Sequence, residues 1–191
     1  MISDLVVKDE YGPGNIPKAM FISSIEEFVG EKSIYDIIES IQLLNRKYKL
    51  MENSFKAQQE SLVLKIPDIE LALETVIQRQ KLLNSDVMKD RFYFPIADNL
   101  LAKGTSIPSN SVYLWLGANT ILEYSLEEAI EVLNSNLSTA RNTIKIYQKS
   151  LEFIREQITI LEVNTARIHN YGVMIRKFKS ETQTNNRSDF K

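Results

Sequence analysis

The sequence predicts a mainly helical fold with a small β component: a long antiparallel two-helix coiled coil with two β-hairpins inserted between its helices. Three observations predict it. Apolar residues recur at alternating spacings of three and four in both halves of the chain, and about 3.5 residues per turn keeps one narrow seam facing a partner helix. The two seams mirror each other about a single point, so the chain's own halves can be the partners. Short aromatic and β-branched runs, divided by turn residues, fill the stretch around that point.

Residues 1–14 end in Gly12-Pro13-Gly14 and read as a flexible N-terminus. Residues 15–83 hold a tip segment and the first coiled-coil helix. In the tip segment Ser23 and Ser24 stand three residues before Glu26 and Glu27, and Gly30 follows, which predicts a short capped helix. The long helix starts near Ser33 and runs to about Leu83, roughly 75 Å at about 1.5 Å per residue. Its seam reads Ile41, Leu44, Tyr48, Met51, Phe55, Gln58, Leu62, Ile66, Ile69, Leu73, Val76, Gln80 and Leu83. The passage from Phe55 through Gln58 and Leu62 to Ile66 is a stutter, which locally unwinds a supercoil. Pro67 follows it, and a proline that removes a helical hydrogen bond predicts a bend there.

Residues 84–124 carry the two hairpins. Tyr93–Ile96, Asn99–Lys103, Val112–Leu116 and Thr120–Tyr124 are the strands, divided by Ala97-Asp98, by Ser106–Ser111 and by Gly117-Ala118-Asn119. Two hairpins are too little sheet to stand alone, so those of several chains are expected to pair into an oligomerisation platform. The residues expected to build it are Tyr93, Phe94, Leu100, Leu101, Val112, Leu114, Trp115, Leu116, Ile121 and Leu122. Trp115, between Leu114 and Leu116, reads as a buried strand aromatic rather than a ligand platform.

The second helix, residues 125–178, opens on Ser125-Leu126-Glu127-Glu128, a capping box whose acids suit a helix N-terminus. Its seam runs Leu126, Ile130, Leu133, Leu137, Ala140, Ile144, Tyr147, Leu151, Ile154, Ile158, Leu161, Thr165, Ile168. Folding back pairs Ile41 with Ile168, Met51 with Ile158, Phe55 with Ile154, Val76 with Leu133 and Leu83 with Leu126. It also brings Glu26, Glu27, Glu31, Asp36 and Glu39 beside Arg167, Arg176, Lys177 and Lys179. Residues 179–191 are polar and read as a disordered tail. The whole is expected to form a single structural unit.

At the free end of the coil the apolar residues exceed what a two-stranded seam can bury. Met20, Phe21, Ile22, Ile25 and Phe28 lie on one segment, and Ile168, Tyr171, Met174, Ile175 and Phe178 on the other. Local packing would absorb some of them; a surplus left exposed would be a grip for other proteins.

Composition narrows the function classes. A net charge of −2 with 25% charged residues gives no electrostatic case for nucleic acid or an anionic membrane as the main partner. No run approaches the roughly 20 apolar residues of a membrane span, and the first residues do not read as a signal peptide. The absence of cysteine excludes disulfides and thiolate metal sites and fits a reducing compartment. His169 is the one histidine, so no His-based metal centre or Ser-His-Asp triad is available. The six glycines form no phosphate loop, and no pair of acids stands out as general acid and base. An enzyme is not expected, nor a cofactor.

The segments NIPKAMF (15–21), YKLMENS (48–54), KIPDIE (65–70), ADNLLAKGTSIP (97–108), VYLWLGANTILEYSLEEA (112–129) and LEVNTARIHNYGV (161–173) resemble the α-type subunits of prefoldin, closest to its eukaryotic members. The resemblance spans residues 15–175 in order. It implies a hetero-hexamer of two α-type and four β-type subunits, whose hairpins form a double β-barrel bearing six coiled-coil tentacles. It further implies an ATP-independent holdase, cytoplasmic with a nuclear pool left open. Such a holdase grips non-native actin and tubulin by the tips and passes them to the cytosolic group II chaperonin. A coiled-coil scaffold in a prefoldin-like complex, binding folded partners, is the alternative.

Overall fold

The computed structural model describes residues 2–83, 91–105, 109–117 and 119–188. The segment 84–90, residues 106–108 of the Ser106–Ser111 stretch, the turn position Ala118 and the last three tail residues lie outside them. Where the sequence suggests one structural unit, the contacts divide the chain into two: residues 1–60 with 145–191, and residues 61–144.

In the first unit two strands, β1 (Val6–Gly12) and β2 (Ile16–Ala19), pair antiparallel, with Val6 opposite Ala19 and Gly12 opposite Ile16. A short helix, α1 (Ile25–Val29), follows, then the start of α2 (Ile34–Leu83), and the unit closes with the later part of α3 (Leu126–Ser188). Ile37, Ile41, Leu44 and Tyr48 of α2 pack with Ile154, Leu161 and Ile168 of α3 in one buried cluster, and Met51, Phe55 and Ile158 lean on it. Burying each such side chain is worth about 1.5–3 kcal/mol. Arg155 Nε reaches Glu52 Oε1 across the helix pair at 3.4 Å. The hydrogen bond from Lys56, chiefly, with that from Arg155, outweighs burial and holds the Glu52 carboxyl below the usual carboxylate range.

The first unit departs from the sequence reading at three places. Of the expected flexible N-terminus, 1–14, the described residues 2–14 are not a free lead-in. Leu5, Ile16, Ala19 and Ile22 join the helix-pair core, and Pro13–Asn15 make the turn between the two strands. Gly14 sits at φ +72, a conformation other residues adopt only with strain. The short helix α1 forms and stops at Gly30, whose N–H donates to the Glu26 carbonyl at 3.0 Å, but Ser24 makes no side-chain cap hydrogen bond. The α2 seam passes from Phe55 to half-buried Gln59, and Gln58 is exposed. The stutter therefore lies one step earlier, over Met51, Phe55 and Gln59.

In the second unit Val76 of α2 packs with Leu126, Ala129 and Leu133 of α3, joined by Ile69, Leu73, Leu83 and Ile130. Arg141 Nη2 meets Glu70 Oε1 at 2.7 Å between the helices. Pro67 lies inside α2. Two separate hairpins complete the unit. Strand β3 (Arg91–Ala97) pairs with β4 (Leu100–Thr105), and β5 (Ser111–Gly117) with β6 (Thr120–Ser125). Gly117 at φ +91 and Asn119 at φ +58 supply the left-handed backbone of the second turn.

The capping box at the head of α3 is made in full. Glu128 N donates to Ser125 Oγ at 3.3 Å, while Ser125 N and Ser125 Oγ both donate to Glu128 Oε2, at 3.1 and 2.9 Å. Those two bonds hold the Glu128 carboxyl below its ordinary range. At its other end α3 continues to Ser188, past Phe178, so the segment from 179 is helical where the polar composition suggests disorder. No glycine or proline follows Gly172 to stop it. None of the helices, among the described residues, is long and apolar enough to cross a membrane.

Candidate functional site

A feature that periodicity does not single out organises the first unit. Ser150, Gln157 and Asn164 recur at heptad spacing on α3 and are fully buried or nearly so. A buried amide needs partners, because leaving one unpaired costs about 1–3 kcal/mol. Gln157 and Asn164 find them in the backbone at the end of β2 and just after it. Gln157 Oε1 accepts from Ala19 N at 3.0 Å, Asn164 Oδ1 accepts from Ile22 N at 3.1 Å, and Asn164 Nδ2 donates to the Met20 carbonyl at 2.8 Å. From α2, Tyr48 donates its hydroxyl proton to the Pro17 carbonyl. Burial pushes the Tyr48 phenol up to about 12. Arg167 donates to the carbonyls of Ile22 and Ser23, and its guanidinium lies 5.1 Å from the Phe21 ring centroid. Charge pairing predicts Arg167 beside the acids of the tip segment; the structure commits it to these carbonyls.

The clasp sorts the residues expected to form the tip grip. Ile22 and Ile168 are core residues, 2% and 0% exposed. Met20, Ile25, Phe28 and Tyr171 are half-buried against that core. Ile175 is half-buried too, and lines an open groove of about 580 Å³ with Ile34, Tyr35, Ile38 and His169. Of the expected tip residues, those left on the surface are Phe21 at 51%, Met174 at 49% and Phe178 at 61% exposure. Tyr35, at 75%, joins them and does not stand out in the sequence, because it is off the α2 seam.

The hairpin residues divide by strand alternation. Val112 and Leu114 face the chain's own helices and pack with Tyr124 against Val76 and Leu126. Tyr113 and Trp115 point the other way. Trp115 is 64% exposed, so it is not buried within its own chain. Ile121, its cross-strand partner, is exposed as well, as are Leu116 and Leu122. On the first hairpin Tyr93, Phe94, Leu100 and Leu101 are all exposed, and so is Ile96. Among the described residues no cluster of three or more His, Cys, Asp or Glu is arranged to hold a metal ion.

The family model described as Prefoldin subunit matches residues 35–171. Prefoldin subunit 3 of Homo sapiens is 34% identical over 193 residues, covering 95% of this chain and 97% of that protein. Probable prefoldin subunit 3 of Schizosaccharomyces pombe is 40% identical over 169 residues, 86% of this chain and 95% of its own. Among solved structures, a chain of the filamentous PFD from Methanocaldococcus jannaschii aligns with a TM-score of 0.49 at 16% identity, covering 62% of this chain and 94% of that one. On the family match and the identity to these relatives, the chain belongs to the prefoldin family, as a prefoldin subunit.

Proposed function

We propose that this chain is one subunit of a hetero-hexameric prefoldin, with two α-type and four β-type members, acting as an ATP-independent holdase without catalytic activity. Its β3–β4 and β5–β6 hairpins pair with those of neighbouring subunits. The end of the helix pair near α1 grips non-native chains, actin and tubulin among them, which pass to the cytosolic group II chaperonin. The observation that carries this reading is the trio Phe21, Met174 and Phe178, apolar and about half or more exposed at the end of the helix pair near α1. Exposed apolar side chains rimmed by polar ones mark interaction surfaces, and methionine adapts to varied partners.

The test is aggregation of a chemically denatured client in the presence of the assembled complex. Replacing Phe21, Met174 and Phe178 together by Ser should leave assembly intact and abolish suppression of aggregation. Undiminished suppression overturns the grip. Affinity capture through this subunit separates the scaffold alternative, which requires a stable set of folded partners in place of chaperonin and nascent cytoskeletal chains.

A further inference from the structure

We infer that the face of the helix pair beneath residues 16–23 is a binding groove for an extended polypeptide, and that the chain's own N-terminal segment occupies it as a displaceable strap. The argument is the chemistry of the contacts. Tyr48, Gln157, Asn164 and Arg167 make hydrogen bonds to this segment that all go to backbone groups: the carbonyls of Pro17, Met20, Ile22 and Ser23, and the N–H groups of Ala19 and Ile22. The one side chain of the strap that any of them meets is the Phe21 ring, which lies against the Arg167 guanidinium. Specificity beyond the backbone comes chiefly from three buried apolar positions, Ile16, Ala19 and Ile22 at a spacing of three, with Met20 packed beside them.

Two features make the occupant exchangeable. Among the described residues the strap's short strand pairs with β1 alone, in a two-stranded sheet made of the N-terminal hairpin itself. The polar residues that hold it sit on α3 and α2, in a helix pair whose seam closes through Ile41, Leu44, Ile154, Leu161 and Ile168. An extended segment of a non-native protein, with small or branched apolar residues three apart, presents the same backbone groups and fits the same sockets. Such docking would occur whether or not Phe21, Met174 and Phe178 grip clients.

The probe is a fluorescent synthetic peptide of residues 13–24, added to the full-length chain. In the unaltered chain the strap competes, and apparent affinity falls with the fraction of open groove. Weakening the strap by Ile16→Ser with Ile22→Ser should tighten peptide binding by about tenfold or more, and adding Gln157→Leu with Asn164→Leu should abolish the gain. Equal binding to the unaltered and strap-weakened chains overturns the groove. Loss of the helical circular dichroism signal in the strap-weakened chain also overturns it, because the segment is then core and not an occupant. Hydrogen exchange on the unaltered chain reads the same property without a variant. The Ala19 and Ile22 amides should exchange about tenfold or more sooner than those of Ile41 to Tyr48, and equal protection contradicts a displaceable strap.

Discussion

Tyr48 gives its hydroxyl proton to the Pro17 carbonyl at 2.7 Å, so a seam residue of the coiled coil also fastens the N-terminal segment. The phenol is fully buried, with its ionisation pushed up to about 12. Below pH 10 the phenol is protonated whether the chain is folded or not, and its contribution to stability is complete. Between pH 10 and 12 only the unfolded chain loses the proton, so that contribution falls as pH rises. Tyr48→Phe should destabilise at neutral pH by about 1–3 kcal/mol, through the unpaired Pro17 carbonyl. The gap in melting temperature to the unaltered chain should narrow above pH 10, and a gap independent of pH contradicts the assignment.

Asn164 bonds to both the Ile22 N–H and the Met20 carbonyl. Asn164→Ala strands two buried backbone groups, each at about 1–3 kcal/mol, and should lower the urea midpoint more than Gln157→Ala, which strands one N–H of this segment. Asn164→Asp keeps the acceptor but sets a carboxylate against the Met20 carbonyl, so it should be milder at pH 4 than at pH 8. Urea titrations at the two pH values provide the check.

Gly12 lies where a Cβ would come within 2.4 Å of the Phe153 ring. Gly12→Ala should therefore cost about 1–3 kcal/mol by overpacking. Phe153→Leu removes the obstructing ring atoms, so the double variant should be less destabilised than the two single effects added. A double-mutant cycle in urea measures the coupling; strict additivity means the ring is not the obstacle.

Neighbouring residues of β5 face opposite ways, Leu114 onto the chain's own core and Trp115 outward at 64% exposure. Leu114→Glu puts a charge against the Val76 and Leu126 core and should unfold the second unit. Trp115→Glu, on the exposed face, should leave the thermal transition of the isolated chain within about 0.5 kcal/mol, as surface substitutions usually do. It should nevertheless prevent co-assembly with other prefoldin subunits, read by size-exclusion chromatography. Normal assembly of the Trp115 variant would remove that face from the interface.

The heptad seams and the hairpins were legible because both rest on side-chain periodicity: Ile41, Leu44 and Tyr48 repeat at helical spacing, and Val112 and Leu114 alternate. The capping box was legible because it needs two particular residues three apart. The N-terminal hairpin was not. Its anchors, Leu5, Ile16, Ala19 and Ile22, follow no single period, and Gly12-Pro13-Gly14 reads alike as a loose leader or a turn. Gln157 and Asn164 look like surface residues in a helix because their partners are backbone amides and carbonyls, which carry no signature in sequence. The tip list was too long for the same reason. Ile22 is as apolar as Phe21, and only the docking of the segment decides which of the two is covered, whereas Ile168 lies on the seam of α3 and is buried with Ile41.

The clasp's hydrogen bonds to the main chain are indifferent to the side chains at the positions they hold and strict about length. Lys18 and Ser23 can drift without disturbing its hydrogen bonds, since the clasp touches only their peptide neighbours or their carbonyls. One residue inserted between Ala19 and Ile22 would shift every later group off its partner, and both Asn164 and Arg167 would lose their ligands together. Evolution is therefore free to substitute at exposed positions such as Lys18 and Ser23, is held to apolar residues at the buried Ile16, Ala19 and Ile22, and is not free to insert or delete.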